Sequence, residues 1–336
     1  MSNQAAILKE QNTQIVIEER PIPKPGANEL LIKNAAFATN PVDWKMQSSG
    51  MLIESYPTIL GSDIAGTVEE VGSGVSHFKK GDRVAGFADV LVSKNNDNGA
   101  FQQYTILKDC AATRLPSFVS FEEGSILPMA VATAGVSIFL ALDVPRPPAK
   151  SQGGFLVWGA SSSVGTAAIQ IAASLGYTVY GVCSPRHSVY IKKLGAHETF
   201  DYNDSSVVKK ITQSLKAANE QLVIAYDAIV EHGSAQMCVE ILEAFGGGKL
   251  CLTSPYPEDA RQTERVEISS TYAARVVFEP DFGRWLFNEW LQRSLADKTF
   301  VPSPAIEKVD GGIQAVQKAL DMHKKGLSGK KLVITL

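Results

Sequence analysis

The chain has 336 residues, 45% hydrophobic and 20% charged, which is too long for one ordinary domain and apolar enough for two packed cores. A formal net charge of −3 argues against a nucleic-acid partner, which would call for a basic stripe. No run reaches the roughly 20 apolar residues of a membrane span. The opening MSNQAAILKE has no charged segment leading into an apolar one, so no secretory leader and no membrane association are expected, and the expected address is cytosolic. Cys110, Cys183, Cys238 and Cys251 are scattered without a C-x-x-C pair and read as buried, reduced thiols. The five histidines (His77, His187, His197, His232, His323) form no H-x-x-x-H pair, so no metal site is evident.

Taken in chain order, residues 1–125 read as β-rich. Short strands at Gln14–Glu18 and Leu30–Lys33 are separated by Pro21, Pro23, Pro25 and Gly26. Gly61, Gly66, Gly72, Gly74 and Gly81 punctuate a stretch that suits a small, tightly turning barrel. Lys94–Gly99 (KNNDNG) reads as a polar surface loop. Glu122–Leu142 has helical apolar spacing and is stopped by Pro145, Pro147 and Pro148. A β-α-β series follows: strand Gly154–Trp158, helix Thr166–Leu175, strand Thr178–Cys183, a helix to Leu194, strand Glu198–Tyr202, helix Val207–Lys216, strand Leu222–Asp227, helix Ala235–Glu243 and strand Lys249–Thr253. That repetition predicts a doubly wound parallel sheet. Phe282–Leu295 and Ile313–Lys325 read as amphipathic helices and Lys331–Leu336 as a short strand, a tail expected to return to the first domain. The predicted class is α/β, with a barrel domain at 1–125 and 271–336 and a nucleotide-binding domain at 126–270.

The glycine turn Gly159-Ala160-Ser161-Ser162-Ser163-Val164-Gly165 lies between a strand and a helix. In that context, amides and hydroxyls at the helix start (Ser161, Ser162, Ser163, Val164) are placed to hold a pyrophosphate. NAD-binding folds place an acid about 20 residues past the first glycine. Here Cys183-Ser184-Pro185-Arg186-His187 offers a hydroxyl and two potential cations and no carboxylate, which suits the 2′-phosphate of NADPH. Tyr202, at the next strand end, is placed to stack on adenine or bond that phosphate.

Three further segments, Asn40–Lys45 (NPVDWK), Leu60–Val68 (LGSDIAGTV) and Val71–Val84 with its FKKGDRV ending, resemble signatures of the medium-chain dehydrogenase/reductase superfamily. The chain is similar to its quinone-oxidoreductase and enoyl-reductase branch, especially fungal trans-acting enoyl reductases and "zinc-binding dehydrogenase-like" proteins. The resemblance spans nearly the whole chain. It implies a GroES-like barrel, a Rossmann domain and an active site in the cleft between them. Zinc alcohol dehydrogenases carry Cys-x-x-Asp where this chain has Asn40–Asp43, and Gly-His-Glu where it has Gly61-Ser62-Asp63. Residues 88–100 also lack the cysteines of their structural lobe. The resemblance therefore implies a zinc-independent member.

Without a metal to hold an alkoxide, addition of hydride to an activated C=C bond is the easier reaction. The negative charge spreads onto a carbonyl oxygen, where hydrogen-bond donors suffice, and a proton then reaches the α-carbon. The resemblance places Val42, Asp43, Trp44 and Lys45 by the nicotinamide end of NADPH. Lys45 is the first catalytic candidate, as cofactor holder, enolate partner or proton donor, with Asp43 as its expected ion-pair partner. Thr133 is the second, its hydroxyl directed to cofactor or substrate carbonyl. Leu252-Thr253 are expected to pass the nicotinamide amide, and Leu327-Ser328 to return to the cofactor. Tyr56, Tyr104 and Tyr256 are alternative acids. The substrate is a small molecule: a conjugated thioester on CoA or a carrier protein, an enone or a quinone. A non-catalytic NADPH-binding role is the remaining alternative, and the oligomeric state is left open.

Overall fold

Close-set turns and alternating apolar residues make the N-terminal part a run of short strands: β1 (Asn3–Leu8), β2 (Val16–Arg20), β3 (Glu29–Ala38), β4 (Thr58–Ile59), β5 (Asp63–Val71), β6 (Arg83–Phe87), β7 (Tyr104–Lys108) and β8 (Ala112–Arg114). A helix, α1 (Pro41–Ser49), and a single helical turn at Val90–Ser93 interrupt them; α2 (Phe121–Ser125) and α3 (Pro128–Val136) follow. The middle of the chain alternates β9 (Gly154–Trp158), α4 (Ser163–Ser174), β10 (Thr178–Val182), α5 (Ser188–Lys193), β11 (Ala196–Phe200), α6 (Val207–Ala217), β12 (Leu222–Asp227), α7 (Ser234–Glu243), β13 (Gly248–Leu252) and β14 (Val266–Ser270). The tail adds β15 (Ala305–Lys308), α8 (Val316–Lys324) and β16 (Lys330–Thr335). This computed structural model describes residues 2–150 and 152–336. The chain divides into one unit ending at Ala132 and resuming at Ala274–Leu336, and a second unit, Thr133–Ala273.

In the first unit one sheet runs β15-β16-β3-β5-β6-β8, with β7 also on β3, and a second runs β2-β1-β4. The tail does return to the N-terminal strands: β16 pairs antiparallel with β3, Val333 opposite Ala38. Leu8, Ile32, Phe37, Ile64, Val68, Phe101, Leu332 and Ile334 belong to one buried cluster. The Lys94–Gly99 segment is not the simple surface loop its polarity suggests. Asn98 is buried and donates to the Ile106 carbonyl (3.1 Å), Asn96 accepts the Ile59 N–H (3.0 Å), and Asp97 pairs with Arg20 (2.9 Å). Its amide side chains replace ladder hydrogen bonds that the strand ends would otherwise lack.

The helix expected over Glu122–Leu142 forms in pieces: α2, α3 and a π-helical turn at Ser137–Ala141. Contrary to the sequence reading, Phe121–Ala141 is, at 21 residues, long and apolar enough to cross a membrane by length and composition. Its apolar window is 89% buried within the protein, the environment of a core helix. The second unit is the predicted doubly wound sheet, order β11-β10-β9-β12-β13-β14 with every pairing parallel.

A buried polar cluster sits in the first unit. The Lys331 ammonium lies 2.9 Å from Asp63 Oδ2 and 2.5 Å from Asn40 Oδ1, with 3% and 0% of the Lys331 and Asp63 side chains exposed. Asn40 Nδ2 donates to Asp63 Oδ2 (2.9 Å) and the Met129 N–H to Asp63 Oδ1 (2.6 Å). Asp43 accepts the Asn40 backbone N–H (2.7 Å), closing the start of α1. Burial pushes the Asp43 carboxyl up to about 7, against the lowering effect of that N–H. His323, which shares a hydrogen bond with Thr39 (3.0 Å), is pushed down to about 4 by burial and then by Lys331.

These two groups act on stability in opposite directions. Between pH 3.8 and about 7 the folded chain keeps an Asp43 proton that the unfolded chain has released, so rising pH through that window destabilises. Between about 4 and 6.5 the folded chain refuses a His323 proton that the unfolded chain binds, so falling pH destabilises. Asp43→Asn keeps an acceptor for the helix start and removes the carboxylate. Denaturant unfolding should show the variant's stability at pH 8, relative to pH 4.5, improved over wild type by on the order of 2–4 kcal/mol. An unchanged pH profile would contradict a buried, elevated carboxyl.

Candidate nucleotide and active site

The five residues of β9 are all buried and deliver the chain to Gly159, whose φ is +71°. A Cβ on Gly165 would lie 2.2 Å from the Gly159 carbonyl oxygen, so the turn folds back in a space that only glycine fits. Ser162 caps α4: its Oγ accepts the Gly165 N–H (3.0 Å), and its own N–H reaches the Gly159 carbonyl (2.9 Å). Ser161, Ser162, Ser163 and Val164 are half-buried at this helix start. The tight backbone, the helix's positive end and the hydroxyls fit a pyrophosphate.

The next two strands build the neighbouring feature. β10 ends into Ser184 and a 3-10 turn, Pro185–His187. Ser184 Oγ and Tyr202 OH share a 3.0 Å hydrogen bond, joining the ends of β10 and β11, while Arg186 is exposed and His187 half-buried. The carboxylate of Asp201 turns into its own loop and accepts the Asn203 N–H (2.9 Å). Of the two expected cations, only Arg186 brings charge at neutral pH: burial, with the adjacent guanidinium, holds His187 below its ordinary range. A guanidinium with two hydroxyls fits a phosphomonoester.

Leu252 is buried at the end of β13, and Thr253 donates its N–H (3.1 Å) and hydroxyl (3.4 Å) to the Asp227 carbonyl. Because the sheet is parallel, Ser161–Val164, Ser184–His187, Tyr202 and Leu252–Thr253 all lie at or just past carboxyl ends of its strands. Thr133, on α3 and also of this unit, is 6% exposed.

In the first unit, the expected ion pair between Asp43 and Lys45 does not form. Residues two apart on a helix face different ways. Asp43 is buried on its capping hydrogen bond, whereas Lys45 is exposed with its ammonium 5.9 Å from the Trp44 ring centre. Val42 and Trp44 are half-buried and pack against the core, as does Leu327; Ser328 is exposed. Tyr104 is 8% exposed and Tyr256 donates to the Arg261 carbonyl (2.9 Å), so neither is well placed as an acid; the Tyr56 hydroxyl is buried.

Sequence reading missed Lys331. The available signal was a lysine at a strand position that pairs with the core. It sits on Asn40 and Asp63, two of the positions where the zinc enzymes differ. Ser62 Oγ is buried without a hydrogen-bond partner, and no group of three or more His, Cys, Asp or Glu suited to a metal occurs, both among the described residues.

Residues 26–117 match the alcohol dehydrogenase GroES-like domain. The chain is 37% identical to the trans-enoyl reductase tndF of Aspergillus flavipes, covering 99% of each chain, and 35% identical to the dehydrogenase pigH of Monascus ruber, covering 95% of each. Among solved structures it shares its fold with the CurK enoyl reductase (TM-score 0.79, 18% identity, 99% of each chain) and a Pseudomonas syringae quinone oxidoreductase (TM-score 0.78, 21% identity, 100% of each chain). With a parallel dinucleotide-type sheet and a GroES-like domain in one chain, the protein belongs to the medium-chain dehydrogenase/reductase superfamily, as an oxidoreductase of its enoyl-reductase-like branch.

Proposed function

We propose that the protein is an NADPH-dependent, zinc-independent reductase that adds hydride to the β-carbon of an activated C=C bond. The substrate is an enoyl thioester, on CoA or a carrier protein, or an enone, and the setting is fungal secondary metabolism. Names of relatives such as the Aspergillus flavipes trans-enoyl reductase support this reading. One observation carries it: Asn40 and Asp63 are committed to an internal ammonium, Lys331, so these side chains serve a fixed organic cation. Side chains so engaged suit an enolate, which needs only hydrogen-bond donors, better than an alkoxide that needs a Lewis acid. The cytosol is the proposed compartment, in keeping with four buried free thiols.

NADPH supplies the hydride when bound. Ser161–Val164 would hold its pyrophosphate, and Ser184, Arg186 and Tyr202 its 2′-phosphate, with Pro185 and His187 shaping that turn. The Leu252–Thr253 backbone would hold the nicotinamide amide. Lys45 is the assigned donor to the oxygen that gains negative charge or, with water, the proton source for the α-carbon. Thr133 contributes its hydroxyl to orientation. As the C=C π bond breaks, the β-carbon gains hydride and the α-carbon a proton.

NADPH consumption with crotonyl thioesters, enones and quinones tests the reading: turnover of the thioester or enone is expected, and turnover of quinones alone would overturn it. Metal analysis should find zinc well below one equivalent per active chain. Arg186→Ala should raise the KM for NADPH about tenfold or more and leave that for NADH nearly unchanged. A wild-type preference for NADH would remove the 2′-phosphate argument. Lys45→Ala should lower kcat about tenfold or more; full activity would take Lys45 out of the chemistry.

A further inference from the structure

Thr271 follows directly on β14. Its N–H donates to the Leu252 carbonyl (2.8 Å), carrying the β13–β14 pairing one step beyond Leu252 opposite Ser270. Its hydroxyl donates to the Thr133 carbonyl (3.2 Å), and the residue is half-buried. One residue thus holds the end of β13 with its backbone and the Thr133 turn of α3 with its side chain. On the other side of β13, Thr253 is tied to the Asp227 carbonyl. Asp227, itself buried, binds the N–H groups of Ile229 (3.1 Å) and Val230 (3.0 Å) and the Ser234 hydroxyl.

The α3 end needs such a tie. Four residues past Thr133 the helix enters its π-helical turn, where Leu142 N–H reaches back five residues to Ser137. A change of hydrogen-bond register leaves the helix end less fixed by its own ladder. The Ser137 hydroxyl also donates to the Thr133 carbonyl (2.8 Å), but it belongs to the same helical segment and cannot set that segment's place against the sheet. The Thr271 hydroxyl comes from the sheet.

We propose that Thr271 is a positioning residue for the reduction, its hydroxyl fixing Thr133 against the Leu252–Thr253 strand end. The inference rests on the roles assigned above to Thr133 and Leu252–Thr253. Thr271→Val keeps the shape and the N–H to Leu252 and deletes only the hydroxyl bond. Because the Thr133 carbonyl retains Ser137, thermal unfolding should change little, while a loosened reacting geometry lowers turnover.

The test is steady-state kinetics of Thr271→Val, Thr271→Ser, Thr133→Val and the Thr133→Val/Thr271→Val double variant with NADPH and a crotonyl thioester, alongside NADPH binding by fluorescence. Thr271→Val should lower kcat about 3–10-fold, with the NADPH Kd within about twofold of wild type. Thr271→Ser should restore kcat, and the double variant should be no slower than Thr133→Val alone, because Thr271 acts through Thr133. If Thr271→Val fails to fold, Thr271→Ala carries the same kinetic expectation. Normal kcat in Thr271→Val beside an impaired Thr133→Val overturns the inference and leaves the proposed function standing. Normal kcat in Thr133→Val removes the assigned role of Thr133 and the inference with it. Fully additive losses in the double variant also overturn it.

Discussion

The first unit is organised around one buried ion pair. Removing an ammonium and a carboxylate from water costs several kcal/mol per ion unless each finds close, well-directed partners. Here both do: Asp63 receives Lys331, Asn40 and the Met129 N–H, and Lys331 also reaches Asn40. Four pieces of chain meet at those contacts: β16, β5, the start of α1 and the first turn of α3. Since α1 carries Lys45 and its neighbours, the orientation of that helix depends on charge neutralisation beneath it. Loss of one partner would leave the other as an uncompensated buried charge, a far larger disturbance than loss of an exposed pair such as Lys80–Glu69.

The second unit solves a different problem with backbone geometry. A parallel sheet collects strand ends on one edge, and each end here is closed by a short polar device. Glycines and Ser162 close the end of β9, Ser184 with Tyr202 bridges β10 and β11, and Asp227 with Thr253 joins β12 to β13. The first two devices present amides, hydroxyls and one guanidinium, so that edge is suited to a phosphorylated anion. The first unit is organised by a charge it hides, the second by donors it displays.

Much of this was legible in the sequence because the signals were local. Strands β9 and β12 fall where predicted, since apolar runs between glycines and polar turns specify them within ten residues. The glycine turn between β9 and α4 was legible for the same reason. What escaped was either non-local or geometric. Lys331 and Asn40 are 291 residues apart, and nothing near either announces the other. Thr271 is an ordinary threonine until the sheet sets its hydroxyl against Thr133. Proximity in sequence suggests an Asp43–Lys45 pair, but helical geometry separates those side chains. The polar run at Lys94–Gly99 misled because its amides satisfy buried backbone groups rather than water.

The returning tail also dictates an order of assembly during synthesis. β5 emerges from the ribosome early, yet its ammonium partner belongs to a strand made only after the entire middle unit, Thr133–Ala273. That middle unit is contiguous, with mostly neighbouring strand pairings, and can close while translation continues. Asp63 stays hydrated and β3 keeps an open edge until β16 arrives. The barrel sheet therefore gains its last strand only after the whole middle unit has been made.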